Sequence, residues 1–213
     1  MKKRKNSFLV WLLAAVLTIG MMPASALPSF AGVVVNVSTA EELKAALEAD
    51  GDKTVKLTAD VVYDLNEFIK VKGNKVLELN GHKINYNLLT GFYVPTGADL
   101  KVDGKKTGSE IKSCAEVIFA MGGGLLTIDG GKYINLLGPV MYIHPATAGG
   151  KVEINGGYFQ SINYLIYSES EQAANPPEIV INGGEFISNE CSAWASPAGD
   201  VTGGIVNGGS FHG

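Results

Sequence analysis

Arginine is almost missing from this chain: the one guanidinium belongs to Arg4, inside the basic run Lys2-Lys3-Arg4-Lys5. Nothing later in the sequence can serve as an arginine base or clamp a carboxylate bidentately. Lysine also stops early, at Lys151, while Glu153, Glu169, Glu171, Glu178, Glu185, Glu190 and Asp200 follow. Setting aside the four basic residues at the N-terminus leaves 13 cationic side chains against 21 acidic ones, a net of −8. That balance excludes nucleic acid and anionic membrane as natural partners, and it leaves the distal part with a solvated acidic face. Cysteine is limited to Cys114 and Cys191, too few for a disulfide framework. No two aspartates are adjacent, as the polygalacturonase type of glycoside hydrolysis would want, and no His/Cys/Asp spacing suggests zinc. No serine sits in a nucleophile elbow, and the glycine pairs open no helix, so they are not phosphate loops.

Glycine, by contrast, is plentiful, with 27 residues, and much of it falls in a repeat. Leu126-Thr127-Ile128-Asp129-Gly130-Gly131-Lys132-Tyr133 returns as Val152–Phe159, Ile179–Phe186 and Gly204–Phe211. Looser copies are Leu77–Ile84 and Leu100–Gly104. The Asn/Asp positions are 80, 103, 129, 155, 182 and 207, at steps of 23 to 27 residues. A unit of that length marks a solenoid, in which a turn buries its apolar face only against its neighbours. Apolar–x–apolar inside each unit is the period of a half-buried strand, and Asn/Asp-Gly gives the freedom to turn a corner. Tyr133, Phe159, Phe186 and Phe211 should then stack inside the coil. The leucine-rich spacing is absent, so the fold class expected is all-β: a parallel β-helix of about six to seven coils.

Residues 1–26 read as a secretory signal, with an apolar run from Phe8 to Met22 and the cleavage site Ala24-Ser25-Ala26. Residues 27–53 should form a first strand, Val33 to Val37, and a capping α-helix over 39–49. That helix opens with Ser38/Glu41 or Thr39/Glu42 as a capping box, carries Leu43, Ala46 and Leu47 as its apolar stripe, and stops at Gly51. Such a helix would cover the open top edge of the solenoid. Residues 54–213 should form the coils, with strands at Thr54–Val61, Phe68–Val71, Val76–Leu79, Asp99–Val102, Val117–Met121, Val140–Ile143 and Tyr164–Tyr167. Gly213 follows the last copy with no capping helix. The expectation is a chain that belongs to a longer surface protein, or a lower edge that stacks on another chain. By register Cys114 and Cys191 lie three coils apart, on the order of 14 Å, which predicts two separate thiols, at least partly buried.

The opening run Val33, Asn36-Val37-Ser38-Thr39-Ala40-Glu41-Glu42-Leu43, then Val55–Val61 and Leu77–His82, resembles the start of right-handed parallel β-helix proteins of the pectate-lyase-like superfamily. The Ile-Asn/Asp-Gly-Gly-x-Phe/Tyr copies resemble repeats of secreted and surface proteins of Gram-positive bacteria. The resemblance covers residues 33–213. It implies right-handed coiling, secretion or display at the cell surface, and an extracellular or cell-wall polysaccharide as partner. Enzymes of that superfamily imply a lyase with a Lys or Arg base and calcium, or a glycoside hydrolase.

For the lyase, Lys101, Lys112, Lys132 and Lys151 are the available bases, and calcium is a cofactor only in this alternative, through Asp103 and Asp129. For a hydrolase, Glu169, Glu171 and Glu116 are the carboxyls that share a region. The preferred reading of Asn80, Asp103, Asp129, Asn155, Asn182 and Asn207 is a structural ladder, because Asn and Asp interchange within it. His82, a corner residue, reads as structural; His144 and His212 lie on other coils. The remaining polar series is aromatic: Tyr142, Tyr158, Tyr164 and Tyr167, with Trp194 nearby in sequence. Tyr158 must point outward where Phe159 points inward. Flat rings on a rigid sheet can stack on sugars. The alternative for Tyr142, Tyr164 and Tyr167 is core or edge packing. The function expected is therefore a structural or adhesive module without an evident catalytic constellation, with glycan binding through these tyrosines as its best binding hypothesis.

Overall fold

A computed structural model describes residues 32–87, 91–114, 116–143, 149–168, 177–189, 194–195 and 204–212. Strand β1 spans Val33–Val37 and helix α1 spans Ala40–Glu48. Coils follow as β2 Lys53–Leu57, β3 Val61–Tyr63 and β4 Ile69–Lys70, then β5 Asn74–Glu78, β6 Lys83–Tyr86 and β7 Phe92–Pro95. The next holds β8 Asp99–Asp103, β9 Glu110–Ser113 and β10 Phe119–Gly122. Then come β11 Leu125–Asn135 with β12 Met141–Ile143, and β13 Lys151–Ser161 with β14 Ile166–Ser168. The last strands are β15 Glu178–Ile181, β16 Glu185–Ser188, β17 Trp194–Ala195, β18 Gly204–Val206 and β19 Ser210–His212.

Each coil pairs in parallel with the one before and after it, giving three sheet faces around one core. The first runs β1-β2-β5-β8-β11-β13-β15-β18. The second is β3, β6, β9, the later halves of β11 and β13, β16 and β19. The third runs β4-β7-β10-β12-β14-β17. The solenoid amounts to about five turns rather than six to seven. β1 leads into the helix, and β18 and β19 have no described third strand. The expected single strand Thr54–Val61 is two, β2 and β3, because the chain turns a corner between them.

The helix starts as its sequence requires. The Thr39 Oγ1 accepts from the Glu42 N–H at 3.2 Å, and the Glu42 carboxylate reaches back to Ser38, not to Thr39 itself, accepting from its N–H at 2.8 Å. Ala40, Leu43, Ala46 and Leu47 are buried. The Glu48 Oε1 accepts from the Lys70 N–H at 2.9 Å, and Leu47 O accepts from the Lys72 N–H at 3.1 Å. The helix thereby covers the open edge of β4, where the third sheet would otherwise present unpaired groups. Lys75 ties this cap to the coils below. It takes an inward position in β5, in the column of Leu100 and Leu126, and its ammonium donates to Gly51 O at 2.6 Å and to Lys72 O.

The corners use glycine in two ways. At Asp129 both following glycines have positive φ, 76° and 95°. At the next three corners only the second glycine does: Gly157 at 124°, Gly184 at 125° and Gly209 at 113°. A Cβ on Gly157 would stand 3.0 Å from Gly131 O, whereas Gly156 has open space around it. The second glycine of these later copies is the one the fold demands.

Inside the coil, Tyr133, Phe159, Phe186 and Phe211 stack at 4.9, 4.8 and 4.7 Å between ring centroids, tilted by only 5 to 11°. That spacing is the inter-strand distance, so in-register strands impose it. Cys114 is an exposed free thiol, against the expectation of partial burial, because it directly follows the inward Ser113 at the end of β9. Cys191 lies outside the described residues, as do the signal segment, His144, Glu169 and Glu171.

Candidate functional site

The third sheet carries an outward column of side chains: Lys70, Tyr93, Ala120, Tyr142 and Tyr167 stand opposite one another on successive rungs. Strand alternation puts them there, since Phe92, Phe119, Met141 and Ile166 on the same strands point into the core. Tyr142 and Tyr167 stack at 5.9 Å and 13°, and Tyr164 stacks on Tyr167 at 5.4 Å and 21°. One rung up, Ala120 breaks the series. Tyr93 and Tyr142 are therefore about 10 Å apart along the coil axis, with only a methyl group between them.

That break is a cavity of about 620 Å³. Ala120 and Met121 lie at its floor, and Tyr142 and Tyr167 form its lower side. Tyr93 closes one flank. Its ring lies across Gly122, where an added Cβ would come 2.4 Å from the Tyr93 Oη. The opposite flank is made by residues just before the strands: Phe68, Val117, Pro139 and Glu116.

That flank is fixed from beneath. The Asn135 Oδ1 accepts from the N–H groups of Leu137 and Gly138, and its Nδ2 donates to Pro139 O at 2.7 Å. Ser161 Oγ donates to Gly138 O at 2.9 Å. Gly138 runs against Glu116, whose carbonyl oxygen would lie 2.0 Å from a Cβ there. Asn135 and Ser161 belong to a buried polar column with Ser113 and Ser188. The signal for it was present in the sequence as the Asn or Ser two places after Tyr133, Phe159 and Phe186.

Tyr142, Tyr164 and Tyr167 are thus brought together, and Tyr158 is not. Tyr158 stands on the second face, in register with Lys132 and Glu185. Lys132 Nζ sits 5.4 Å from its ring centroid, and its hydroxyl donates to Gln160 Oε1 at 3.1 Å. Phe68, Tyr93, Ala120 and Glu116 complete the site. The column position of Tyr93 and Ala120 was hidden because the third-sheet strands lack the Asn-Gly-Gly marker that sets register elsewhere.

The Asn/Asp series divides. Asn155, Asn182 and Asn207 each donate Nδ2 to the Oδ1 of the preceding rung, at 2.8, 2.8 and 2.7 Å, and the chain of amides ends on Asp129. Lys101 and Lys105 pair with the other Asp129 oxygen at 2.9 and 3.2 Å. Burial pushes this carboxyl up, but its bonds from Lys101, Asn155 and Lys105 outweigh that and hold it at about 2. Asn80 and Asp103 stand outside the ladder. Asn80 donates to Leu57 O and accepts from Lys106 Nζ, and Asp103 accepts from the Lys105 N–H. Three of the four candidate lysine bases are engaged in ion pairs: Lys101 with Asp129, Lys132 with Glu110, and Lys151 with Glu153 and Glu178. His82 Nδ1 lies 3.4 Å from Asp60. Among the described residues no group of three or more His, Cys, Asp and Glu could hold a metal ion, and no helix is long and apolar enough to cross a membrane.

No family model, curated protein or solved structure matches this chain.

Proposed function

We propose that this protein is a secreted or cell-surface β-solenoid module that binds an extracellular polysaccharide without cleaving it. The observation that carries this reading is the slot over Ala120, which stands between the rings of Tyr93 and Tyr142 in the outward column of a parallel sheet. A pyranose ring presents flat C–H faces that pack on aromatic faces, and a preformed apolar slot costs little to organise. Residues 33–213 resemble right-handed β-helix proteins that are secreted, and the N-terminal segment reads as an export signal, in keeping with a ligand outside the cell.

The test is Ala120→Tyr. A tyrosine there would complete the column and fill the slot, while an outward position on an intact strand leaves the core alone. Retention of the folded wild-type chain on an insoluble polysaccharide panel, and its loss in the variant, is the expected result. Equal retention of both proteins would sink the proposal. Release of unsaturated products or new reducing ends from the same polysaccharides would replace the binding module with an enzyme.

A further inference from the structure

Resting on that reading, we propose that the ring held in the slot carries a protonated amine, so that the ligand is an amino sugar, with Glu116 as its counter-ion. Among the described residues Glu116 is the one charged residue lining the cavity. Its carboxylate has no hydrogen bond or ion pair with any described residue, although its backbone is pinned by the close approach of Gly138. A free carboxylate on a fixed support beside Tyr142, Tyr93 and Phe68 combines two attractions for a cationic group: direct pairing, and the negative faces of the rings. Among the described residues no lysine or histidine lines the cavity. Lys70, the basic residue of the column, stands one rung beyond Tyr93 and outside the lining. Among these residues a uronate would find no cation and would face Glu116. The acidic balance of the chain acts in the same direction, drawing cationic polymers toward it.

The experiment is a titration of the full folded chain with oligomers of glucosamine, their N-acetylated counterparts and a neutral glucan, repeated with Glu116→Gln. Glu116 is exposed, so the variant should fold as the parent does. The expected result is roughly tenfold tighter binding of the free-amine oligomer than of the acetylated one, the size of one partly desolvated charge-assisted contact. That preference should disappear in Glu116→Gln, while binding of the neutral glucan stays the same. Equal affinity for free-amine and acetylated oligomers overturns the amine. A preference that survives Glu116→Gln overturns the role of this residue. Failure of all three sugars to bind overturns the glycan reading itself, a different outcome from either.

Discussion

Two aromatic columns run along this solenoid, one inside and one outside, and only the outer one is interrupted. The inner column from Tyr133 through Phe159 and Phe186 to Phe211 has a ring on every rung, stacked at 4.7 to 4.9 Å. The outer column from Tyr93 to Tyr167 follows the same parallel register but has Ala120 where a ring would continue it. A filled column is a packing device: Tyr133, Phe159 and Phe186 are each buried between neighbours, and Phe211 caps the stack. A column with one ring missing leaves rigid walls around an empty volume, which is a binding device. The same repeat geometry yields both, and side-chain size at one rung decides between them.

The comparison breaks most visibly if the inner column is opened. Phe159→Ala should destabilise the protein by about 3 to 5 kcal/mol in urea denaturation, because it leaves a cavity between two stacked rings in a close-packed core. A loss under about 1 kcal/mol would mean that the inner column is not what holds the distal coils together. Cutting the amide ladder beside it should cost less. Asn182→Ala removes two amide–carbonyl bonds, to Asn155 and from Asn207, and is expected to lower stability by about 1 to 2 kcal/mol.

The head of that ladder gives a pH signature. Asp129 is held below its unfolded value of 3.8, at about 2. A depressed carboxyl stabilises the fold at pH above its unfolded value, and that contribution fades as pH falls from about 4 through about 2. Melting temperature should therefore drop over that window in the parent and drop less steeply in Asp129→Asn. Parallel curves would remove Asp129 as the ladder's anchor. Opening the outer column should behave in the opposite way to the inner one. Tyr142→Ala is expected to change stability by under about 1 kcal/mol, its side chain being half-buried on the surface, yet to abolish polysaccharide retention. Smallest of all should be Tyr86→Phe. The Tyr86 hydroxyl is buried and has no hydrogen-bond partner among the described residues, so its removal should leave stability unchanged or raise it slightly. A clear loss in thermal melts would show that the hydroxyl is satisfied after all.

How far the sequence was legible follows from where the repeat leaves a mark. Ile128-Asp129-Gly130-Gly131-Lys132-Tyr133 names an inward strand residue, a corner and an inward ring in one stretch, so the first two faces and their register could be read without coordinates. The capping helix was equally open to reading, because Thr39, Glu42 and Leu43 sit at fixed local spacings. Which glycine of each pair is obligatory was not legible: Gly156 and Gly157 look alike in sequence, and only the approach of Gly131 O distinguishes them. The tyrosines were legible as outward-facing residues, but not their grouping. Tyr158 and Tyr164 are six residues apart in sequence, yet a corner of the coil lies between them and sends them to different faces.

The sequence by itself determined the solenoid, its coil length, its cap and the inner columns, because in-register stacking repeats one local pattern and each copy carries that pattern in full. Only the tertiary structure decided the slot. Its parts, Phe68, Tyr93, Glu116, Ala120 and Tyr142, come from four successive coils at irregular chain spacings, and no local pattern joins them. Their meeting depends on the path lengths of the corners between strands, and above all on the in-register placing of Ala120 between Tyr93 and Tyr142. A methyl group is an unremarkable residue in a strand until its neighbours across the sheet turn out to be rings.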